Sequence, residues 1–469
     1  MNISAILFGR KDVNRAPAAS AGPVGQGRYV SGEGACPPRR LLLLGLCLFH
    51  PPLLLAHGGL PESTAVIPIP GQSLPVVQTT FGVIEPIEAR DWAWVCPDIT
   101  GYTSLSAAHV DAHHRWYFGS YTGLWRSDDR CTWTLVGGLL EGLYITSIQS
   151  DTVNPDRIWV STSTADEHNA LFWSDDGGLT FSEGAFFGEG STIRGFVQGG
   201  TGTPFYVVGW RDGRPYLWIS SEGSSTWTEV LVDETGELLV YPLGVDHADP
   251  PRAYLALRGE SSDTLVRAHA DGSLEALLEI DDQITAFSPG FESGELLVGG
   301  RYVGMYRSHD DGQSWEGPVS SPEAGCLKDD GARRFQCVNN FEEDASVLCD
   351  AADGSDSVRL AWFGDVHGVA ACPSGTQTAD VCGPLWEAVK ATNSLDLKRD
   401  EDDTGAPGEV AVDSESAGGA GCAIAGSTGG HPPWPPGRFW VYVGMLMVGW
   451  ALRVPASIRA MRGEPDRDR

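Results

Sequence analysis

Residues able to do chemistry are few in this chain, and they cluster. His109-Val110-Asp111-Ala112-His113-His114 places three imidazoles and a carboxylate in one short run. Such groups ligate first-row metals, but a metal centre needs three or four of them converging in space. If the run is extended, His109 and His113 share one face. A polar hairpin turn accounts for the run, and it is assigned no metal. The acidic runs Glu342-Glu343-Asp344 and Asp353-Gly354-Ser355-Asp356 lack the full alternating spacing of an EF-hand calcium loop and read as solvated turns. His57 would become an N-terminal copper ligand if export cleavage followed Ala56, but that chemistry needs a second histidine and a different fold. Arginines such as Arg194, Arg211 and Arg301 are present, as in any chain of this size, and single out no site. No residue is assigned as catalytic, and no cofactor is implied.

The elements that must position these groups are short. Two stretches share one turn motif: Ser174-x-Asp176-x-Gly178-x-Thr180-Phe181 and Ser308-x-Asp310-x-Gly312-x-Ser314-Trp315. Ser and Asp side chains accept from nearby backbone N–H groups and close a turn. Gly takes a positive φ that other residues resist, and the terminal aromatic packs between sheets. Weaker echoes recur at about 40–50-residue spacing, a period that signals a repeat fold. Bulky unit ends fall near Trp94, Trp133, Phe181, Trp227, Leu277, Trp315 and Trp362, which predicts seven units. Six units plus a flanking hairpin is the competing count. Residues 157–162, 203–208 and 295–299 read as strands from their alternation and β-branched content. A short helix is expected around 384–391.

With 469 residues there is room for more than one domain. A formal charge of −30 argues against recognition of nucleic-acid phosphates. Arg39-Arg40 followed by the leucine-rich run 41–55 and Ala56 reads as a signal peptide over 39–56, within a leader spanning 1–56. Residues 57–74 are expected to form an extended segment and 75–390 the repeat domain. A Gly-, Pro- and acid-rich linker follows over 391–437 and includes Asp400-Glu401-Asp402-Asp403. Residues 438–469 hold a short apolar run and an arginine-rich end. That run is short for a full span, while the basic end fits the positive-inside pattern. Membrane contact is expected only through this tail. The localisation expected is exported: outer membrane, cell surface or extracellular.

The turn motif resembles the Asp-box, or BNR repeat, of β-propellers such as sialidases, sortilin-type receptors and photosystem assembly factors. The resemblance implies an all-β propeller whose boxes join the two outer strands of a blade, so that Asp176 and Asp310 are structural and not catalytic. The tail, with Gly421-Cys422, an apolar run and clustered arginines, resembles the MYXO-CTERM sorting signal, in which the cysteine is the key residue. The runs Thr79-Thr80-Phe81-Gly82, Trp92-x-Trp94-x-Cys96, Gly101-Tyr102 and 337–341 resemble exported myxobacterial propellers. So does the stretch from Phe363 through Cys372 and Cys382 to Trp386. That group carries no assigned activity. A sialidase would show an early Phe/Tyr-Arg-Ile-Pro run, and Gly213-Arg214-Pro215-Tyr216 is not its equivalent.

Of 10 cysteines, Cys36 and Cys47 lie in the leader and Cys422 in the tail. Disulfides are expected in an exported chain. The pairs expected are Cys96–Cys131, Cys326–Cys337 and Cys372–Cys382, with Cys349 left over or taking the place of Cys337 opposite Cys326. Spacing alone does not fix connectivity. The function expected is a non-catalytic, surface-displayed binding module of one chain, with a glycan or protein ligand at the mouth of the ring. The alternatives are an extracellular glycoside hydrolase, which would need paired carboxylates across the scissile bond, and a purely structural envelope protein.

Overall fold

The computed structural model describes residues 61–395, apart from 89, 90, 104, 105, 152, 201, 221–225, 320–324, 331, 341–344, 352–356 and 394. The leader, His57, most of the linker, Cys422 and the C-terminal apolar run lie outside the described residues.

The strands form seven antiparallel four-stranded sheets, each built from four consecutive strands. This is a seven-bladed propeller. The innermost strands are Ser63–Ile67, Ala108–Val110, Ile145–Ser150, Thr192–Gln198, Leu239–Val245, Ile284–Ser288 and Cys326–Asp329, in blades 1 to 7. The propeller thus starts earlier than residue 75, because Ser63–Ile67 pairs with Val76–Thr79. The seven bulky positions expected at unit ends all fall in or beside an outermost strand. Phe181, Trp227 and Trp315, for example, directly precede Ser182–Phe186, Thr228–Leu231 and Glu316–Val319.

The blades stack face to face, so both faces of each sheet are buried. Alternation along a strand then sends neighbouring residues to different interfaces. Trp116 and Phe118 pack toward blade 1, while Tyr117 between them packs toward blade 3. Phe205 and Val207 face blade 3, and Tyr206 and Val208 face blade 5. This is why second strands such as Phe205–Arg211 and Ala253–Arg258 read as largely apolar runs. Among the described residues the seam between blades 6 and 7 is the thinnest, with Ala286, Leu297 and Leu327 packed against Met305.

The ring closes without exchanging a strand between its two ends. A strap follows blade 7 instead. Its strand Val366–Val369 adds in parallel to the outer strand Asp91–Val95 of blade 1. A π-helical turn, Thr378–Cys382, leads into a helix, α1 (Gly383–Thr392). Trp386 of α1 packs against Trp94, with ring centroids 5.7 Å apart. Two disulfides fasten the strap, Cys96–Cys382 and Cys131–Cys372. The expected pairs Cys96–Cys131 and Cys372–Cys382 are therefore corrected. Folding carries the strap back across blades 1 and 2, so each cysteine meets a partner remote in sequence. Cys326–Cys337 forms as expected, at a facing position of one hairpin. Cys349 lies buried on the third strand of blade 7, in the core against blade 1.

Candidate functional site

Antiparallel order divides the loops between two faces of the ring. Turns from first to second and from third to fourth strand lie on one face, here the lower. Turns from second to third strand, and the links between blades, lie on the other face, the mouth.

The lower face is built for structure. Ser174 donates to Asp176 Oδ1 at 2.7 Å, and Asp176 accepts from the Leu179 and Thr180 N–H groups and the Thr180 hydroxyl. Ser308, Asp310 and Ser314 repeat this arrangement. Burial pushes the Asp176 carboxyl up, but these bonds together outweigh it and hold both carboxyls down at about 2. Gly178 needs its positive φ of 79°, and a Cβ there would sit 2.7 Å from Tyr117 of the preceding blade. The turn therefore also fixes one blade against the next. The shortened motif at Ser127 keeps the bond to Asp129, with Arg130 taking the positive φ in place of glycine.

A second repeated device on this face escapes a motif search. Buried Asp111 accepts from Arg115 Nε at 2.6 Å and the Tyr117 hydroxyl at 3.0 Å, and Arg115 reaches Asp156 of blade 3 at 2.7 Å. Asp246, Arg252 and Tyr254 repeat this in blade 5, with Arg252 reaching Asp311 of blade 6. In blade 7, Arg333 bonds Asp330 and reaches the Gln72 carbonyl of blade 1 at 2.8 Å. The signal is an Asp, then Arg three to six residues on, then an aromatic two residues later. The histidine run is thus split. His113 and His114 lie on the turn, and His109 stands on an inner strand. Among the described residues no group of three or more His, Cys, Asp or Glu is placed to hold a metal.

His109 bonds Ser150 at 2.9 Å. Burial, set against the field of Asp111 and reinforced by that of Lys328, lowers it to about 4. Lys328 belongs to the inner strand of blade 7 and His109 to that of blade 2, with blade 1 between them, so the two sense each other across the lumen. Enclosure by protein also lowers the Lys328 ammonium.

The mouth is different. Among the described residues, five of the eight exposed large hydrophobic side chains lie there: Tyr121, Leu139, Phe186, Leu239 and Tyr302. Ile87, Val153 and Leu179 lie on the lower face. Tyr121, 62% exposed, stacks on Tyr144 with centroids 4.4 Å apart. Burial, then the Tyr121 phenol, raises the Tyr144 hydroxyl, and Arg194 opposes the rise. Arg194 in turn lies 4.6 Å from the Tyr241 ring centroid, and Arg258 lies 4.5 Å from it. Tyr302, 68% exposed, carries Arg301 at 5.3 Å. These residues form an arc of aromatic rings and guanidiniums from blade 2 to blade 6.

Backbone irregularity aims one member of the arc, Arg194. The inner strands of blades 1, 3, 4, 5 and 6 each carry a bulge whose extra residue is Thr64, Thr146, Arg194, Leu243 or Thr285. A bulge re-aims the extra side chain. Blade 4 alone puts a charge there. Two carboxylates beside the arc are already engaged. Asp263, its carboxyl raised by burial, accepts from Arg258 at 3.1 Å and from the Ile284 N–H at 2.9 Å. Asp282 accepts from the N–H groups of Gln283, Tyr302 and Val303.

No family model matches the chain, and no curated protein does. Solved structures share the fold at low identity. An ancestral GH74 enzyme matches with a TM-score of 0.48 at 14% identity, covering 64% of this chain and 46% of that one. YCF48 bound to D1 peptide matches at 0.44 and 11%, covering 63% and 95%. Virginiamycin B lyase from Staphylococcus aureus matches at 0.39 and 10%, covering 57% and 88%.

Proposed function

We propose that this propeller is a non-catalytic binding module whose ligand, a glycan or a protein surface, sits at the mouth. The arc of Tyr121, Tyr144, Arg194, Tyr241 and Tyr302 carries this reading. Exposed rigid rings beside fixed guanidiniums give contact area at small entropic cost. The Ser174 and Ser308 turns are read as Asp-boxes with a structural role. We further infer export and surface display through the C-terminal tail and Cys422, a reading that the disulfides among the described residues support.

The test is retention of the full chain on a broad glycan array, followed by product analysis for any retained sugar. Retention without turnover is the expected result. Turnover would establish the hydrolase alternative, and absence of retention would remove both carbohydrate readings.

A further inference from the structure

Arginines divide by face in this protein. On the lower face Arg115, Arg126, Arg157, Arg252, Arg267 and Arg333 each meet a carboxylate at 2.6–2.7 Å. They are consumed in holding turns and neighbouring blades together. On the mouth face Arg211 and Arg258 are paired with Glu229 and Asp263. Arg194, Arg214 and Arg301 are exposed, and none of the three has a carboxylate partner among the described residues. In a chain of net charge −30, with 62 acidic residues available, guanidiniums without acid partners are concentrated on one face.

Their placement constrains the ligand. Arg194 and Arg214 belong to blade 4 and Arg301 to blade 6, with the Tyr241 ring of blade 5 between them. A ligand that meets guanidiniums on both blades is best matched by a chain that repeats its charge. A guanidinium fork matches a planar carboxylate. Tyr302, beside Arg301 on blade 6, presents a flat apolar ring to the same ligand, as the carbon face of a sugar ring requires. We propose that the mouth takes a carboxylate-bearing acidic polysaccharide laid across blades 4 to 6. This inference rests on the reading of the mouth as a binding site.

The test is binding of the full chain to polygalacturonate and alginate, with dextran as a neutral polymer and poly-L-glutamate as an acidic peptide, by calorimetry at fixed salt. Polyuronate binding is expected. Arg194→Gln or Arg301→Gln should each weaken it about tenfold, the loss of one charge-assisted hydrogen-bonded contact. Arg157→Gln removes the same charge from the lower face and should leave binding unchanged; thermal melts show whether each variant folds. Equal weakening by all three substitutions would reduce the effect to net charge and overturn the proposal. Binding of dextran alone would overturn the acidic ligand while sparing the mouth as a site. Binding of polyglutamate alone would replace the polysaccharide with an acidic protein. Retention of none of the four would overturn this inference, while retention of some other ligand on the glycan array would still uphold the mouth as a site.

Discussion

Removing Cys96–Cys382 tests whether the strap holds the ring closed. The two strap disulfides are nested, with sequence separations of 286 and 241. With Cys131–Cys372 intact, a chain lacking Cys96–Cys382 frees only a ring made of 96–131 and 372–382, about 45 residues, and the loop-entropy relation gives about 4 kcal/mol. Once both are gone, the remaining loop of over two hundred residues adds about 5 kcal/mol more. Cys326–Cys337, with a separation of 11, closes a single hairpin and is worth about 3 kcal/mol. The variants are Cys96→Ser with Cys382→Ser, the same with Cys131→Ser and Cys372→Ser added, and Cys326→Ser with Cys337→Ser. Urea unfolding should show the second pair of strap substitutions costing more than the first, and the m-value should rise as the unfolded chain expands. In the four-serine variant, hydrogen exchange should quicken at Val366–Val369, where the parallel strand loses both anchors. A loss below about 1 kcal/mol for the first variant, with exchange at Val366–Val369 unchanged in all, would refute the closure argument.

Other expectations concern pH and the turns. Burial raises Glu85 to about 7, although Arg130 Nε approaches its Oε1 to 2.5 Å. The folded state thus favours the protonated acid. Its contribution is fully present below about 4.5 and is lost as pH rises through about 7, a change of about 3 kcal/mol. Glu85→Gln should remove that slope in denaturant titrations at pH 5 and pH 8, with most of the gain at pH 8. His109 runs the other way. Its folded value of about 4 lies below the ordinary 6.5, so stability is lost as pH falls through that interval. His109→Gln should flatten the acid limb of the melting curve while the alkaline limb stays in place. Ser174→Ala leaves the Gly178 N–H without its 2.9 Å acceptor and should cost about 1–2 kcal/mol by urea unfolding, with the mouth's binding constant unchanged.

The sequence by itself determined the repeat and the positions of the outer strands, and favoured seven blades over six. Those rest on local physics: Ser–Asp turns, positive-φ glycines and an aromatic that follows each turn. It also gave the helix near 384 and the hairpin disulfide, whose partners are close in the chain. The tertiary structure alone decided three things. It showed that Ser63–Ile67 is an inner strand, because a five-residue strand proves itself only by its partner. It paired Cys96 and Cys131 with a strap more than two hundred residues away, since folding brings together what spacing leaves open. It placed Arg194 at the mouth through a one-residue bulge, a shift of register that no residue type announces. Arg194 and Arg157 look alike in the chain. One is spent on Asp175 and the other is held open on a tyrosine ring, and that difference exists only once the blades have closed into a ring.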